Sequence, residues 1–309
     1  MIDVRRLTAE DVEAAARLLY ESFSGVYRQR GHTPPFPNVD SAAWLCRAYL
    51  DLDPQGCALA EQDGQALGVG FAHPRGAVAS IGPIAARPGG PPGIGRAIMA
   101  HFQRLTQGCQ SVRLFQDSFN PDSFGFYTRL GYVVVDVAPY LLAERLSPPV
   151  ARPRSVRLAT SSDLREIEKY DLARTGADRG RDLALLAQSG SAFIFEEEGH
   201  AGMSGDRPAG SQPTGSQIGG YLFYRSLPAR VIIGPAVAES AENLIALIDA
   251  VATSLPGRAA VIRGSAAVPS VLQQAFARGF RVDHLGNLMV AGEYQSPPAQ
   301  LYALFPESL

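Results

Sequence analysis

The chain has 309 residues, of which 46% are hydrophobic and 19% charged, with a formal net charge of −2. That is long enough for two ordinary domains, and the composition is that of a globular protein. No basic run points to nucleic acid, and no apolar run reaches the roughly 18 residues needed to cross a bilayer.

The three cysteines, Cys46, Cys57 and Cys109, are too few for a disulfide framework and form no CxxC pair, so no metal site is expected. Met1 to Arg6 lack the apolar core of a signal peptide. The expectation is a cytoplasmic protein with no membrane partner.

In chain order, Asp3 to Leu7 reads as a short strand, and Thr8 with Asp11 as a capping box for a helix carrying Val12, Ala15, Ala16, Leu19 and Phe23. A second helix starts at Asp40 or Ser41. Strands follow at Ala58 to Glu61, Ala66 to Ala72 and Val78 to Ala85, the first two joined by an Asp63-Gly64 hairpin turn. A Gly/Pro-rich loop, residues 87–93, leads into a helix from about Gly95 to Thr106. A strand at Val112 to Phe115, a helix at Asp122 to Leu130 and a strand at Tyr132 to Val137 complete this half.

The chain then repeats itself. Val4 to Val12 resembles Val156 to Leu164; Gly68 and Phe71 recur as Gly220 and Phe223, and Ile81-Gly82-Pro83 as Ile233-Gly234-Pro235, all at an offset of 152. Gly131 answers Gly279 at an offset of 148, so four residues are lost in between, best placed opposite the Gly/Pro-rich loop. The second half reads as a strand at Val156 to Leu158, a helix at Asp163 to Asp171, and strands at Ala192 to Glu196, Gly219 to Tyr224 and Arg230 to Ile233. A helix at Glu242 to Ser254, a strand at Ala260 to Ile262, a helix at Val268 to Arg278, and strands near Arg281 and at Leu288 to Val290 follow. Residues 147–153 read as a Pro-stiffened linker and 199–216 as a mobile Gly/Ser/Pro-rich hairpin loop. Two domains follow, 1–146 and 154–309.

Gly93-Ile94-Gly95-Arg96 joins a strand to a helix. Unpaired N–H groups at a helix start, together with its dipole, favour an anion, and glycine lets a phosphate approach the backbone. No Gly-Lys-Ser/Thr follows, and Ile98 stands where a dinucleotide fingerprint has its third glycine. A plain strand-to-helix turn stays open on these residues alone. The wider pattern, Ile81-Gly82-Pro83-Ile84-Ala85, the loop, and then Gly95-Arg96-Ala97-Ile98-Met99, resembles the central coenzyme-binding motif of the Gcn5-related N-acetyltransferase (GNAT) family. Asn120 followed by Phe126-Tyr127-Thr128-Arg129-Leu130-Gly131-Tyr132 resembles its next motif. The motifs cover roughly residues 2 to 140; the second half resembles the family mainly in element order, and Thr175 to Arg179 looks like a segment of some bacterial tandem GNAT proteins.

The resemblance implies an α/β fold of two tandem GNAT-like domains, each a mixed β-sheet splayed into a V and flanked by helices. It implies acetyl-CoA as co-substrate, with pantetheine held by the backbone of Ile84, Ala85 and Ala86 and the diphosphate by Gly93, Ile94, Gly95 and Arg96. Tyr127 matches the family's general acid, protonating the leaving thiolate; a core aromatic is the other reading. Asn120 reads either as a coenzyme contact or as a helix-start turn before Pro121.

The chain departs from the family where Gly90 replaces the usual Gln or Arg, and where Pro91 and Pro92 bring no N–H. The equivalent loop in the second half has no glycine and carries Glu239 and Glu242, which argues against coenzyme there. No general base is evident; Glu61, His73 and Asp117 are candidates, with His73 more readily a solvated strand-end residue. His32 lies on the segment that in this family shapes the acceptor pocket. Asp178 and Arg179 read as an acceptor contact or, more safely, as a local ion pair.

The resulting expectation is an N-acetyltransferase moving acetyl to a primary amine, of a small molecule or a peptide, by direct attack. A GNAT-fold acyl-CoA sensor or scaffold without turnover is the alternative. A monomer and a homodimer both fit.

Overall fold

The computed structural model describes residues 1–149, 155–197 and 217–304. Part of the expected linker and all of the Gly/Ser/Pro-rich segment 199–216 lie outside the described residues.

The first half runs β1 (Asp3–Arg6), a 3-10 turn, α1 (Val12–Gln29), α2 (Val39–Leu52), β2 (Cys57–Gln62), β3 (Gln65–Arg75), β4 (Val78–Ala86), α3 (Ile94–Leu105), β5 (Ser111–Asp117), α4 (Pro121–Arg129) and β6 (Val133–Ala143). The second runs β7 (Val156–Leu158), a 3-10 turn, α5 (Leu164–Thr175), α6 (Gly180–Ser189), β8 (Ser191–Glu197), β9 (Gln217–Ser226), β10 (Val231–Ala238), α7 (Ala241–Ser254), β11 (Ala260–Arg263), α8 (Pro269–Ala277), β12 (Arg281–Gly292) and β13 (Ala299–Leu301).

The duplication is visible in side-chain chemistry as well as order. Thr8 and Asp11 form the expected capping box, and Arg5 clamps Asp11 with two hydrogen bonds of 2.7 and 2.8 Å. Thr160, Asp163 and Arg157 repeat the arrangement, with two bonds of 2.8 Å. The loop after β10 is only residues 239–240 against 87–93 in the first half, which puts the lost residues where the sequence placed them.

Alternation along β2 decides how the first half packs. Cys57 and Leu59 face α1 and α2, where Leu19, Cys46 and Tyr49 are fully buried. Ala58 and Ala60 face α3, whose Ile94, Ile98, Met99 and Phe102 recur at helical spacing and are all buried. Burying a side chain such as Phe102 stabilises by about 2–3 kcal/mol. Glycines let α3 lie directly on β3: a Cβ at Gly68 would come 2.5 Å from Ile94, and one at Gly70 2.8 Å from Ile98.

The sequence reading gives each half its own sheet; the structure joins them. One 13-stranded sheet runs β1-β2-β3-β4-β5-β12-β6-β11-β10-β9-β8-β7, with β13 added beside β10. The halves have exchanged their last long strands. β12, from the second half, pairs with β5 from Gly286↔Asp117 to Gly292↔Ser111, and β6, from the first, pairs with β11 from Arg263↔Tyr140 to Ala260↔Ala143. Between them β6 and β12 pair antiparallel. The exchange leaves neither half with an open edge at its centre, where unpaired N–H and C=O groups would be costly to bury. The two final strands expected near Arg281 and at Leu288 to Val290 are the single strand β12.

Within each half the V is present. β4 and β5 pair in parallel only at Val78–Ser80 with Ser111–Arg113, then diverge, while β4 stays paired to β3 as far as Ala86. β10 and β11 likewise pair only over Val231–Ile233 and Ala260–Ile262. There the similarity ends. In the second half β13 enters the split and pairs with Ala236, Val237 and Ala238. At the offset of 152 these are the counterparts of Ile84, Ala85 and Ala86.

A buried ion-pair network ties the halves together. Arg75 at the end of β3 donates to Asp53 at 2.7 and 2.9 Å and to Asp182 of α6 at 2.8 Å, with a second, shorter bond to the same carboxylate. His73, expected to be solvated, is fully buried, with Nδ1 2.7 Å from Asp53 Oδ2. Arg179 is in an ion pair, with Asp171 at 2.8 Å rather than with its neighbour Asp178. The backbone N–H of Asp178 donates to the Arg75 carbonyl at 3.1 Å.

Candidate functional site

The diverging strands of the first half open a cleft of about 150 Å³. One wall is β4, from Ser80 to Ile84, and the other is β5, from Arg113 to Asp117. Asn120, Ser123 and Tyr127 of the α4 region and Phe23, Tyr27, Pro35 and Phe36 of the α1–α2 region also line it, and both groups meet at Asp117, to which Tyr27 and Asn120 donate. Tyr140 of β6 and Arg263 of β11 complete the lining. The strand exchange therefore brings the second half to the first half's cleft.

Beside the cleft, Pro92, Gly93, Gly95, Arg96 and Phe126 line a shallow recess at the start of α3. Gly93 sits at the helix cap with φ 99°, a left-handed conformation that favours glycine. The first bond into the helix is Ala97 N–H to the Gly93 carbonyl at 2.9 Å, which leaves the N–H groups of Ile94, Gly95 and Arg96 without an intrahelical acceptor. The loop is pinned at its start by Arg87, whose N–H meets the Leu67 carbonyl at 2.7 Å and whose guanidinium meets the Ala66 carbonyl at 2.6 Å.

The sequence-derived residues thus fall into two adjoining places. Ile84, Asn120 and Tyr127 share the cleft, whereas Gly93, Gly95 and Arg96 share the recess. The side chains of Ala85 and Ile94 are buried in the core on opposite faces of the sheet, so only their backbone faces a ligand. Asn120 caps α4, its side chain accepting from Ser123 N–H at 3.2 Å. Tyr127 is half-buried, its ring 5.2 Å from that of Phe126 and 6.1 Å from that of Tyr132.

Of the three carboxylate and histidine candidates for a base, one lies in the cleft. Glu61 is held by Arg5 and His73 by Asp53, both away from it. Asp117 lines it, at the end of β5. The Tyr27 hydroxyl donates to Asp117 Oδ2 at 2.7 Å, and His284 Nε2 of β12 lies 3.6 Å from Oδ1. His284 is buried, its Nδ1 2.7 Å from Asp283, and it stacks on Tyr140 with ring centres 4.1 Å apart. Burial opposes its charge, but Asp117 and Asp283 outweigh burial and raise its pKa above the ordinary value. His32 stacks on Phe119 with ring centres 4.3 Å apart and lies 5.6 Å from the His284 ring. Sequence reasoning missed Tyr27, Tyr140, Arg263 and His284; Tyr140 and His284 lie on the exchanged strands, and Arg263 lies on β11, which pairs with one of them.

A pantetheine chain fits the residues present. The backbone of Ile84 to Ala86 pairs on one side with β3, and its other side faces the split that β13 fills in the second half. The recess beyond is wide enough at Gly95 that even an added Cβ would meet nothing closer than Phe126 at 3.5 Å.

No family model matches the chain, and no curated protein matches its sequence. Solved structures do match in fold. A protein from Pyrococcus horikoshii, provisionally assigned as an acetyltransferase, is 17% identical with a TM-score of 0.73, over 99% of this chain and 95% of that one. A GCN5-related N-acetyltransferase from Sphaerobacter thermophilus is 13% identical with a TM-score of 0.62, over 97% and 98%. A tandem GNAT protein from the clavulanic acid biosynthesis pathway, in a form without AcCoA, is 15% identical with a TM-score of 0.56, over 96% and 100%.

Proposed function

We propose that this chain, whose fold is that of the tandem GNAT proteins, is an acetyl-CoA-dependent N-acetyltransferase acting on a primary amine through the cleft of its first half. One observation carries the reading. The two halves have the same V-shaped split, and among the described residues only the second has it filled by a strand of the chain itself. The first keeps both the open backbone edge at Ile84–Ala86 and the glycine-capped helix start beside it.

When bound, the coenzyme supplies a thioester whose acyl carbon an amine attacks. The backbone of Ile84 to Ala86 extends along the pantetheine as a neighbouring strand would. The amides of Gly93, Ile94, Gly95 and Arg96 hold the diphosphate, with Arg96 adding charge. Pro91 and Pro92 withhold two donors, each worth about 1 kcal/mol net, while fixing the shape of the loop. A backbone N–H near Ile84 faces the developing oxyanion. Asp117 takes a proton from the incoming amine, held in place by Tyr27 and His284, and Tyr127 returns one to the departing thiolate. The second half acts as a support that lends Arg263 and His284.

An amine panel with acetyl-CoA and thiol detection tests this. Release of coenzyme A that depends on an amine supports the enzyme. Coenzyme binding with no turnover on any amine supports an acyl-CoA sensor instead.

A further inference from the structure

Two histidines and a carboxylate, drawn from both halves, meet beside the cleft, and the transfer described above uses only His284. His32 is placed by the end of α1. Gly31 turns left-handed with φ 77°, its N–H meets the Arg28 carbonyl at 3.2 Å, and the His32 N–H meets the Tyr27 carbonyl at 2.9 Å. This is the pairing that ends a helix on a glycine and fixes the residue after it. Asp283 and His284 come from β12. Neighbours on a strand normally point to opposite faces, but the register with β6 shifts between Val282 and His284, so Asp283 is the extra residue of a bulge. The bulge lets both side chains turn the same way, and Asp283 Oδ2 reaches His284 Nδ1 at 2.7 Å.

One ring nitrogen of His32, one of His284 and a carboxylate oxygen of Asp283 all lie within 4.8 Å of one another. The imidazoles are tilted by 59° to each other. Each is held on an aromatic face, His32 on Phe119 and His284 on Tyr140 at 4.1 Å between ring centres. Ligand atoms on a tetrahedral ion, each about 2.0–2.2 Å from it, sit roughly 3.3–3.6 Å apart, so the set closes with shifts of about 1 Å. His284 is 9% exposed, and its buried Nε2 has no hydrogen-bond partner among the described residues; Asp117 Oδ1 faces it at 3.6 Å. A buried imidazole nitrogen left in that state is costly. A metal-bound histidine keeps a carboxylate on the nitrogen turned away from the ion, and His284 has a carboxylate beside each nitrogen.

We propose that His32, Asp283 and His284 form a site for a divalent transition metal of the zinc type, at the seam between the halves and next to Asp117. Two imidazoles and one carboxylate leave a fourth position open to water, and the nitrogen ligands select zinc over magnesium. The ion ties the turn after α1 in the first half to β12 of the second, and its binding energy adds to the stability of the folded chain. The site stands whether or not the cleft transfers acetyl groups.

Calorimetry of Zn²⁺ against the tag-free full chain tests this, with Mg²⁺ as the control ion. The expected result is a single zinc per chain at micromolar affinity or tighter, no response to Mg²⁺, and a higher Tm with zinc present. His32 is half-buried and Asp283 exposed, so His32→Gln and Asp283→Asn should both fold. Each should weaken zinc binding by roughly tenfold to a hundredfold and lose the Tm shift. Co²⁺ in place of zinc should give the visible bands of a four- or five-coordinate ion, without the thiolate charge-transfer band that binding at Cys109 would bring. Absence of zinc binding, zinc held by both variants as tightly as by the wild type, or a thiolate band with Co²⁺ would overturn the proposal.

Discussion

Gly95 offers a perturbation that separates binding from folding. It is the second residue of α3, and a Cβ built on it meets only the ring of Phe126, at 3.5 and 3.8 Å, which is ordinary van der Waals contact. Gly95→Ala should therefore fold, and alanine's better helix propensity stabilises by up to about 1 kcal/mol. With coenzyme present, the new methyl projects into the recess lined by Pro92, Gly93, Arg96 and Phe126. Pushing the diphosphate back far enough to lose one amide donor costs about 1.5–3 kcal/mol for a charged acceptor, which is roughly a tenfold to hundredfold rise in Kd. Gly93→Ala is the contrasting case. No atom lies within 4 Å of its Cβ, but φ is +99°, so the penalty is backbone strain of about 1–2 kcal/mol. Thermal melting and coenzyme A calorimetry on both variants read the two effects apart. Gly95→Ala should keep or raise Tm while weakening binding, and Gly93→Ala should lower Tm. Gly95→Ala protein that binds coenzyme A as tightly as the wild type would refute the placement of the diphosphate.

The other expectations concern the acid, the inter-half network and pH. Tyr127→Phe should reduce kcat by roughly a hundredfold, the usual scale for losing a general acid, with KM for acetyl-CoA little changed in steady-state assays. Asp182→Ala removes one of the two carboxylates on Arg75, which is 4% exposed. With Asp53 left in place the loss should be about 3 kcal/mol, the lower end for breaking a buried pair, read as a lower midpoint of urea unfolding. Burial pushes the Asp53 carboxyl up, but hydrogen bonds from His73 and Arg75 outweigh it and bring its pKa down to about 2. Its folded pKa is depressed, so its contribution is full above the unfolded value near 4 and is lost as pH falls through about 2. About 2 kcal/mol should disappear across that window, and Asp53→Asn should flatten this part of the stability curve.

Much of this molecule was legible because its local signals agree with one another. The Thr8–Asp11 box, the Asp63-Gly64 turn and the apolar spacing of α3 each fix an element without reference to the rest of the chain. The duplication supplied the order of the second half, except for two elements. α6 opens on Gly180 and carries its burial on Asp182, Leu183 and Leu186, where Asp182 is buried only because Arg75 reaches it. β13 has three residues, Ala299, Gln300 and Leu301, and pairs only because the split of the second half needs a partner.

The exchange of β6 and β12 was not legible for a different reason. Exchanged and unexchanged strands make equivalent hydrogen bonds and present the same alternation, so neither composition nor period distinguishes them. The site shares that limit. The recess at the start of α3 is a nearly continuous stretch, Pro92 to Arg96 with Phe126 added, and so lies where a local motif can point to it. The cleft and its surroundings assemble Tyr27, Asp117, Tyr140, Arg263 and His284 from separate elements across both halves. Asp117 was named among the candidates, but nothing in its local sequence set it above Glu61 or His73.

A crystal structure of the full chain grown with coenzyme A tests the central claim most directly. The account requires one molecule per chain, its pantetheine alongside Ile84–Ala86 and its diphosphate at Gly93–Arg96, with β13 still seated beside β10. Coenzyme bound in the second half with β13 displaced, or a cleft in the first half that stays shut at saturating ligand, would contradict it.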